Sequence, residues 1–88
     1  MAIGIAQIVK NARSELYTLT GLEVASILEA AREGDEWQVT LEVVEKHSIP
    51  ESMDILATYR TRLDPEGNVT EFKRVKMRKR IDTVEEEI

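Results

Sequence analysis

The chain has no cysteine, one histidine, two prolines, four glycines and four aromatic residues among 88. Without cysteine there can be no disulfide, no thiolate metal ligand and no cysteine nucleophile. The lone His47 excludes a two-histidine metal site and any acid–base pair of imidazoles. Apolar runs end after two or three residues, so no segment reads as membrane-spanning and no membrane insertion is expected. The N-terminus does not begin with a basic stretch followed by an apolar core, so export is not expected and the cytoplasm is the expected compartment. Thr20-Gly21 lacks the lysine and second glycine of a phosphate loop. With no nucleophile–base set either, the expectation is a protein that is not an enzyme and needs no metal and no cofactor.

What is present is charge, unevenly spread. Charged residues make up 33% of the chain and hydrophobic ones 42%, the balance of a folded domain rather than a disordered one. Residues 1–59 hold ten acidic and four basic side chains, a net −6. Residues 60–80 reverse this with eight basic and three acidic, a net +5, and 81–88 add Asp82, Glu85, Glu86 and Glu87. The total of −5 therefore conceals one basic region followed by an acidic end. The expected organisation is one domain over 1–81 with an acidic, disordered tail over 82–88.

Periodicity supplies the elements. Ile5, Ile8, Ala12 and Leu16, with Val9 beside them, form one apolar stripe at helical spacing over the first eighteen residues. Gly21 supplies the stop. Residues 22–34 are ambiguous. Leu22, Val24, Ile27, Leu28 and Ala31 could form a helical stripe of good helix formers, yet the segment ends in the hairpin chemistry of Glu33-Gly34-Asp35-Glu36. From Trp37 the alternation is plain, with Val39, Leu41 and Val43 on its side and Gln38, Thr40 and Glu42 on the other. Pro50 breaks it. A second alternation puts Ile55, Ala57, Tyr59, Thr61 and Leu63 against Leu56, Thr58, Arg60 and Arg62. Asp64-Pro65-Glu66-Gly67-Asn68 is the strongest turn, and Val69 to Arg80 is a last strand with a bulge expected beyond Thr70. The fold class is α+β: an N-terminal helix packed on a curved antiparallel meander of three to four strands.

Leu19, Thr20 and Gly21; Trp37, Val39, Leu41, Glu42 and Glu45; Ile49 and Pro50; Asp54, Leu56, Ala57 and Tyr59; Leu63, Asp64 and Gly67; and then Phe72 and Arg74 stand in a fixed order over about residues 16–80. This pattern resembles the gas vesicle protein O (GvpO) family. It departs from the family at Ser48, Arg60 and Met77, where members often carry an arginine, an acidic residue and a tyrosine. The family's spacing from Thr-Gly to the tryptophan favours a strand for 23–32. The resemblance implies an accessory, non-shell role in gas vesicle formation, association with the vesicle, and other gas vesicle proteins as partners. A second copy of the chain is a further candidate partner. It marks Gly21, Trp37, Pro50, Asp54, Tyr59, Asp64 and Gly67 as positions that carry the family's structure.

The candidate contact surface comprises Arg60, Arg62, Lys73, Arg74, Lys76, Arg78, Lys79 and Arg80. A basic stripe of this kind binds an acidic protein or a phosphate backbone. One nearby aromatic, Phe72, and a pI near 4.9 disfavour nucleic acid, which stays as the alternative reading: a small nucleic-acid-binding or regulatory protein using strand 73–80. Trp37 is expected to be mostly buried and Tyr59 to sit in the core or at its rim. Asp54 reads as a hydrogen-bond acceptor at a strand start, and Glu42 and Glu45 read as ordinary solvated faces.

Overall fold

A computed structural model describes residues 4–81, so the acidic segment 82–88 lies outside the described residues. The element order is helix α1 (Ile5–Thr20), strand β1 (Glu23–Glu33), strand β2 (Glu36–Lys46), a single 3-10 turn (Glu51–Met53), strand β3 (Ile55–Leu63) and strand β4 (Val69–Lys79). The strands form one antiparallel sheet in the order β1-β2-β3-β4, a meander that does not close. The α+β expectation holds, and the ambiguous segment 22–34 is a strand.

Helix α1 buries Ile8, Ala12 and Leu16 and leaves Ile5 half exposed. It ends where Gly21 takes the left-handed conformation, φ 75°, and donates its N–H to the Tyr17 carbonyl. Its stripe lies on the alternating residues of the two central strands, Val39, Leu41 and Val43 on β2 and Ala57, Tyr59 and Leu63 on β3. These residues are paired across the strands, Leu41 with Tyr59 and Val43 with Ala57. Thr61 shares that face and its buried hydroxyl donates to the Val39 carbonyl, which satisfies it.

The hairpins follow turn chemistry. Gly34 has φ 63° while no non-glycine residue among the described ones has positive φ, the glycine-first pattern that suits a two-residue hairpin. Between β3 and β4, Asp64 accepts the N–H groups of Glu66 and Asn68 at 3.0 and 2.9 Å, and Gly67 turns at φ 90°. These donors, Asn68 first, hold the Asp64 carboxyl below its ordinary range. Asn11 of α1 donates to the Gly67 carbonyl at 3.0 Å and ties the helix to this turn.

Trp37 is mostly buried, as expected, but not enclosed, because it stands at the hairpin end of β2, where the Arg32 guanidinium lies 5.8 Å from its ring centroid. That contact is a cation–π cover, open to solvent on its outer side. Trp37→Ala is therefore expected to cost about 2 kcal/mol, below the 3–5 kcal/mol of an enclosed aromatic. Urea denaturation checks this, and a loss above about 3 kcal/mol would show the ring to be enclosed.

Candidate protein-contact face

The register of β3 and β4 sorts the basic residues onto two faces. Beneath α1 lie Phe72, Arg74 and Met77, opposite Thr61, Tyr59 and Ala57. On the open face lie Glu71, Lys73, Lys76 and Arg78, opposite Arg62, Arg60, Thr58 and Leu56. Strict alternation would set Lys73 and Lys76 on opposite faces. The shift between Thr58 and Tyr59 makes Val75 an extra residue and returns both lysines to one side. The same shift is the bulge expected beyond Thr70.

Local ion pairs then neutralise much of the stripe. Arg62 sits 3.2 Å from Glu71 and 3.7 Å from Glu36. Arg78 grips both oxygens of Glu42, at 2.9 and 3.0 Å, in a two-pronged contact. Arg74, on the helix side, is 3.6 Å from Glu45, and Arg80 donates to Asp54 at 3.3 Å. Lys79 is exposed and shares the helix-side parity of Met77. Glu42 and Glu45 are thus not the solvated faces expected from the sequence: Glu42 is buried and Glu45 half-buried.

Two cations are left facing each other. Arg60 and Lys73 are direct cross-strand partners, both exposed, and neither has an ion pair among the described residues. Like charges placed opposite one another on a sheet are destabilising. With Gln38, Arg62 and Glu71 they line a depression of about 190 Å³. Arg60 also borders a wider one of about 640 Å³, whose lining includes Thr40, Thr58 and Lys76. The open face is therefore a recessed cationic surface. Among the described residues no group of three histidine or acidic side chains is placed to hold a metal ion. No described helix is long and apolar enough to cross a membrane.

The remaining pattern residues hold the frame. Tyr59 is buried with its ring 6.3 Å from that of Phe72, and burial, reinforced by Glu45 and opposed by Arg74, raises its phenol above the ordinary value. The Ile49–Pro50 peptide is cis and leads into the 3-10 turn. Asp54 is completely buried at the end of that turn and accepts the Ser48 N–H at 2.6 Å. Its backbone carbonyl accepts the Arg80 N–H at 2.7 Å, so the end of β4 is pinned to this loop. His47 is exposed and lies 3.6 Å from Glu23 and 3.7 Å from Asp54.

The Ser48 hydrogen bond holds the Asp54 carboxyl below its ordinary 3.8; burial opposes this, and Arg80 and His47 reinforce it. A depressed carboxylate stabilises the fold fully above its unfolded value. That contribution is lost as pH falls from about 3.8 through the lower folded value. Asp54→Asn is therefore expected to flatten the acid limb of a plot of urea midpoint against pH below about pH 4. An unchanged limb would show that the carboxylate's charge does not hold the loop.

The sequence marks Arg60 and Lys73 as cations of one stripe, but not the recesses beside them. Leu28, Glu29 and Val75 line the wider one, which Arg60 borders, and two of them, Leu28 and Val75, are there because of bulges.

Comparison with known proteins agrees with this frame. The family model described as "Gas vesicle synthesis protein GvpO" matches residues 1–83. The chain is 33% identical over 70 residues to gas vesicle protein O of a Streptomyces species, covering 80% of this chain and 55% of that protein. It is 32% identical over 85 residues to gas vesicle protein O of Haloferax mediterranei, covering 96% and 61% respectively. Gas vesicle protein O1 of Halobacterium salinarum is 29% identical over 76 residues, covering 86% and 64%. The chain thus spans 55–64% of the length of these relatives. No solved structure matches. A family match that runs from residue 1 to residue 83 places this chain in the gas vesicle synthesis protein GvpO family.

Proposed function

We propose that this protein serves gas vesicle formation as an accessory, non-shell component that performs no catalysis and binds another vesicle protein through the open face of its sheet. Family membership supports the vesicle role. The observation that carries the mode of action is the opposed pair Arg60 and Lys73, exposed side by side while the surrounding arginines hold carboxylates of their own. A partner carboxylate between them relieves the repulsion, and a basic recess on an otherwise acidic molecule steers an acidic surface towards it. A shell-forming protein presents a large apolar surface to gas, whereas a third of these residues are charged. This reading associates the protein with the gas vesicle.

The test is the double reversal Arg60→Glu with Lys73→Glu, neither residue being part of the core. In a vesicle-forming host the variant is expected to fold with an unchanged circular dichroism spectrum and fail to support buoyant cells. Capture by purified vesicle proteins is expected to fall about tenfold or more. Intact capture together with lost retention on a DNA column would transfer the face to the nucleic-acid reading. Normal vesicles in cells lacking the protein altogether would remove the assembly role.

A further inference from the structure

The open face has the dimensions of a receptor for a helix. Its recess has Thr40 of β2 and Thr58 of β3 at the centre, with Leu28 of β1 on one rim and Val75 of β4 on the other. Both rim residues are extra residues at register shifts, and both are exposed, Leu28 at 49% and Val75 at 37%. From β1 to β4 there are three inter-strand spacings, roughly 14 Å, the length of between two and three turns of an α-helix laid across the strands. Bulges in both outer strands add twist to the sheet.

The edges argue against the other common mode of binding to a sheet, addition of a strand. β1 has two register shifts and β4 has two, and β4 is studded with lysine and arginine. Interrupted ladders and edge cations are the devices that keep a further strand from pairing. What remains available is the face.

Its charges say which helix. Directly opposed residues on adjacent strands have Cβ atoms about 4.5–5.5 Å apart. Carboxylates one turn apart on a helix, at i and i+4, have Cβ atoms about 5–6 Å apart. Arg60 and Lys73 therefore present two donors at the spacing of two acidic side chains on one helix flank. Glu29 stands at the β1 end of the same cross-strand row, beyond Thr40, so that end of the helix must be neutral or basic. The middle stripe, over Leu28, Thr40, Thr58 and Val75, must be small or aliphatic.

We propose, resting on the assembly reading above, that this face is the receptor for a single α-helix of another vesicle protein. That helix lies across the strands, with an i, i+4 pair of acidic residues seated on Arg60 and Lys73 and an aliphatic stripe running from Leu28 to Val75.

Site-specific photocrosslinking in the vesicle-forming host tests it, with p-benzoylphenylalanine placed in the full chain at Leu28, at Val75 or, as a control, at the exposed Tyr17 of α1. Leu28 and Val75 are expected to trap the same segment of one vesicle protein, at positions about seven, eight or eleven apart, and Tyr17 is not. The double reversal of Arg60 and Lys73 should lower the yield about tenfold or more, and lysines in place of the trapped segment's acidic pair should restore it. Trapped positions spaced by two, a second copy of this chain, or no restoration would overturn the helix assignment. Absence of crosslinks in cells whose vesicles still require the protein would overturn this inference and leave the assembly role standing. Vesicles that do not require the protein would overturn both.

Discussion

Leu41→Ala is expected to lower the unfolding free energy by about 3–4 kcal/mol, a large share of what a domain of this size holds. Leu41 is completely buried at the middle of β2, with β1 on one side and β3 on the other. It pairs with Ile27 on β1 and Tyr59 on β3, and it belongs to the core cluster that contains Ile8, Ala12 and Leu16 of the helix. Removing its branched end opens a cavity that no neighbour can fill without moving the helix off the sheet. The core offers little in reserve, since among the described residues its main cluster holds nine buried side chains with partly buried ones around them. A domain of this size holds about 5–10 kcal/mol, so the loss takes a large share of the total. Guanidinium or thermal unfolding followed by circular dichroism measures it. A loss below about 1.5 kcal/mol would mean that helix and sheet are not one cooperative unit.

The alternation that places Leu41 under the helix is the part of the fold most easily read in the sequence. β2 as far as Val44 and the middle of β3 keep strict period two, so Trp37, Val39, Leu41 and Val43 share one side as their spacing implies. β1 resists the same reading for a definite reason. Its inward residues are Val24, Ile27 and Ala30, three apart, because Ala25 and Leu28 are each an extra residue at a register shift. Two bulges in one strand give a spacing of three, which imitates one side of a helix, and good helix formers fill the positions. The segment is a strand because β2 offers it a partner and the α1 stripe offers it a core, a tertiary preference that local composition does not contain.

The candidate site divides along similar lines. The abundance of cations between residues 60 and 80 is plain in the sequence, and so is their position on the last strands. Which of them hold local carboxylates is a matter of register. Arg62 meets Glu71 directly across the strand, but Glu42 and Arg78 are 36 residues apart and meet diagonally across β3. Glu42 lies on the polar side of its strand, which suggests a solvated residue until Arg78 is laid over it. The opposed pair of Arg60 and Lys73 likewise becomes visible only when β3 and β4 are set side by side.

Glu42→Ala is expected to cost about 2 kcal/mol, whereas the joint change Glu42→Leu with Arg78→Met should be close to neutral. The carboxylate is 7% exposed and makes two charge-assisted bonds to the guanidinium. Removing it leaves Arg78 held over buried Leu56 with its strongest partner gone. A fully buried pair broken in this way costs about 3–5 kcal/mol. The Arg78 side chain is 31% exposed and can turn to water, which reduces the figure. Replacing both ends with apolar groups of similar volume removes the attraction and the desolvation cost together, so the double variant regains most of the loss. A double-mutant cycle in urea isolates the coupling between the two residues, expected at about 1–2 kcal/mol. The same cycle separates framework from contact on this face. If Arg78 is part of the frame, the double variant keeps both its stability and its binding to vesicle proteins. If Arg78 itself touches the partner, stability survives but capture falls. An Arg78→Met variant combined with intact Arg60 and Lys73 then defines how far along β4 the contact extends.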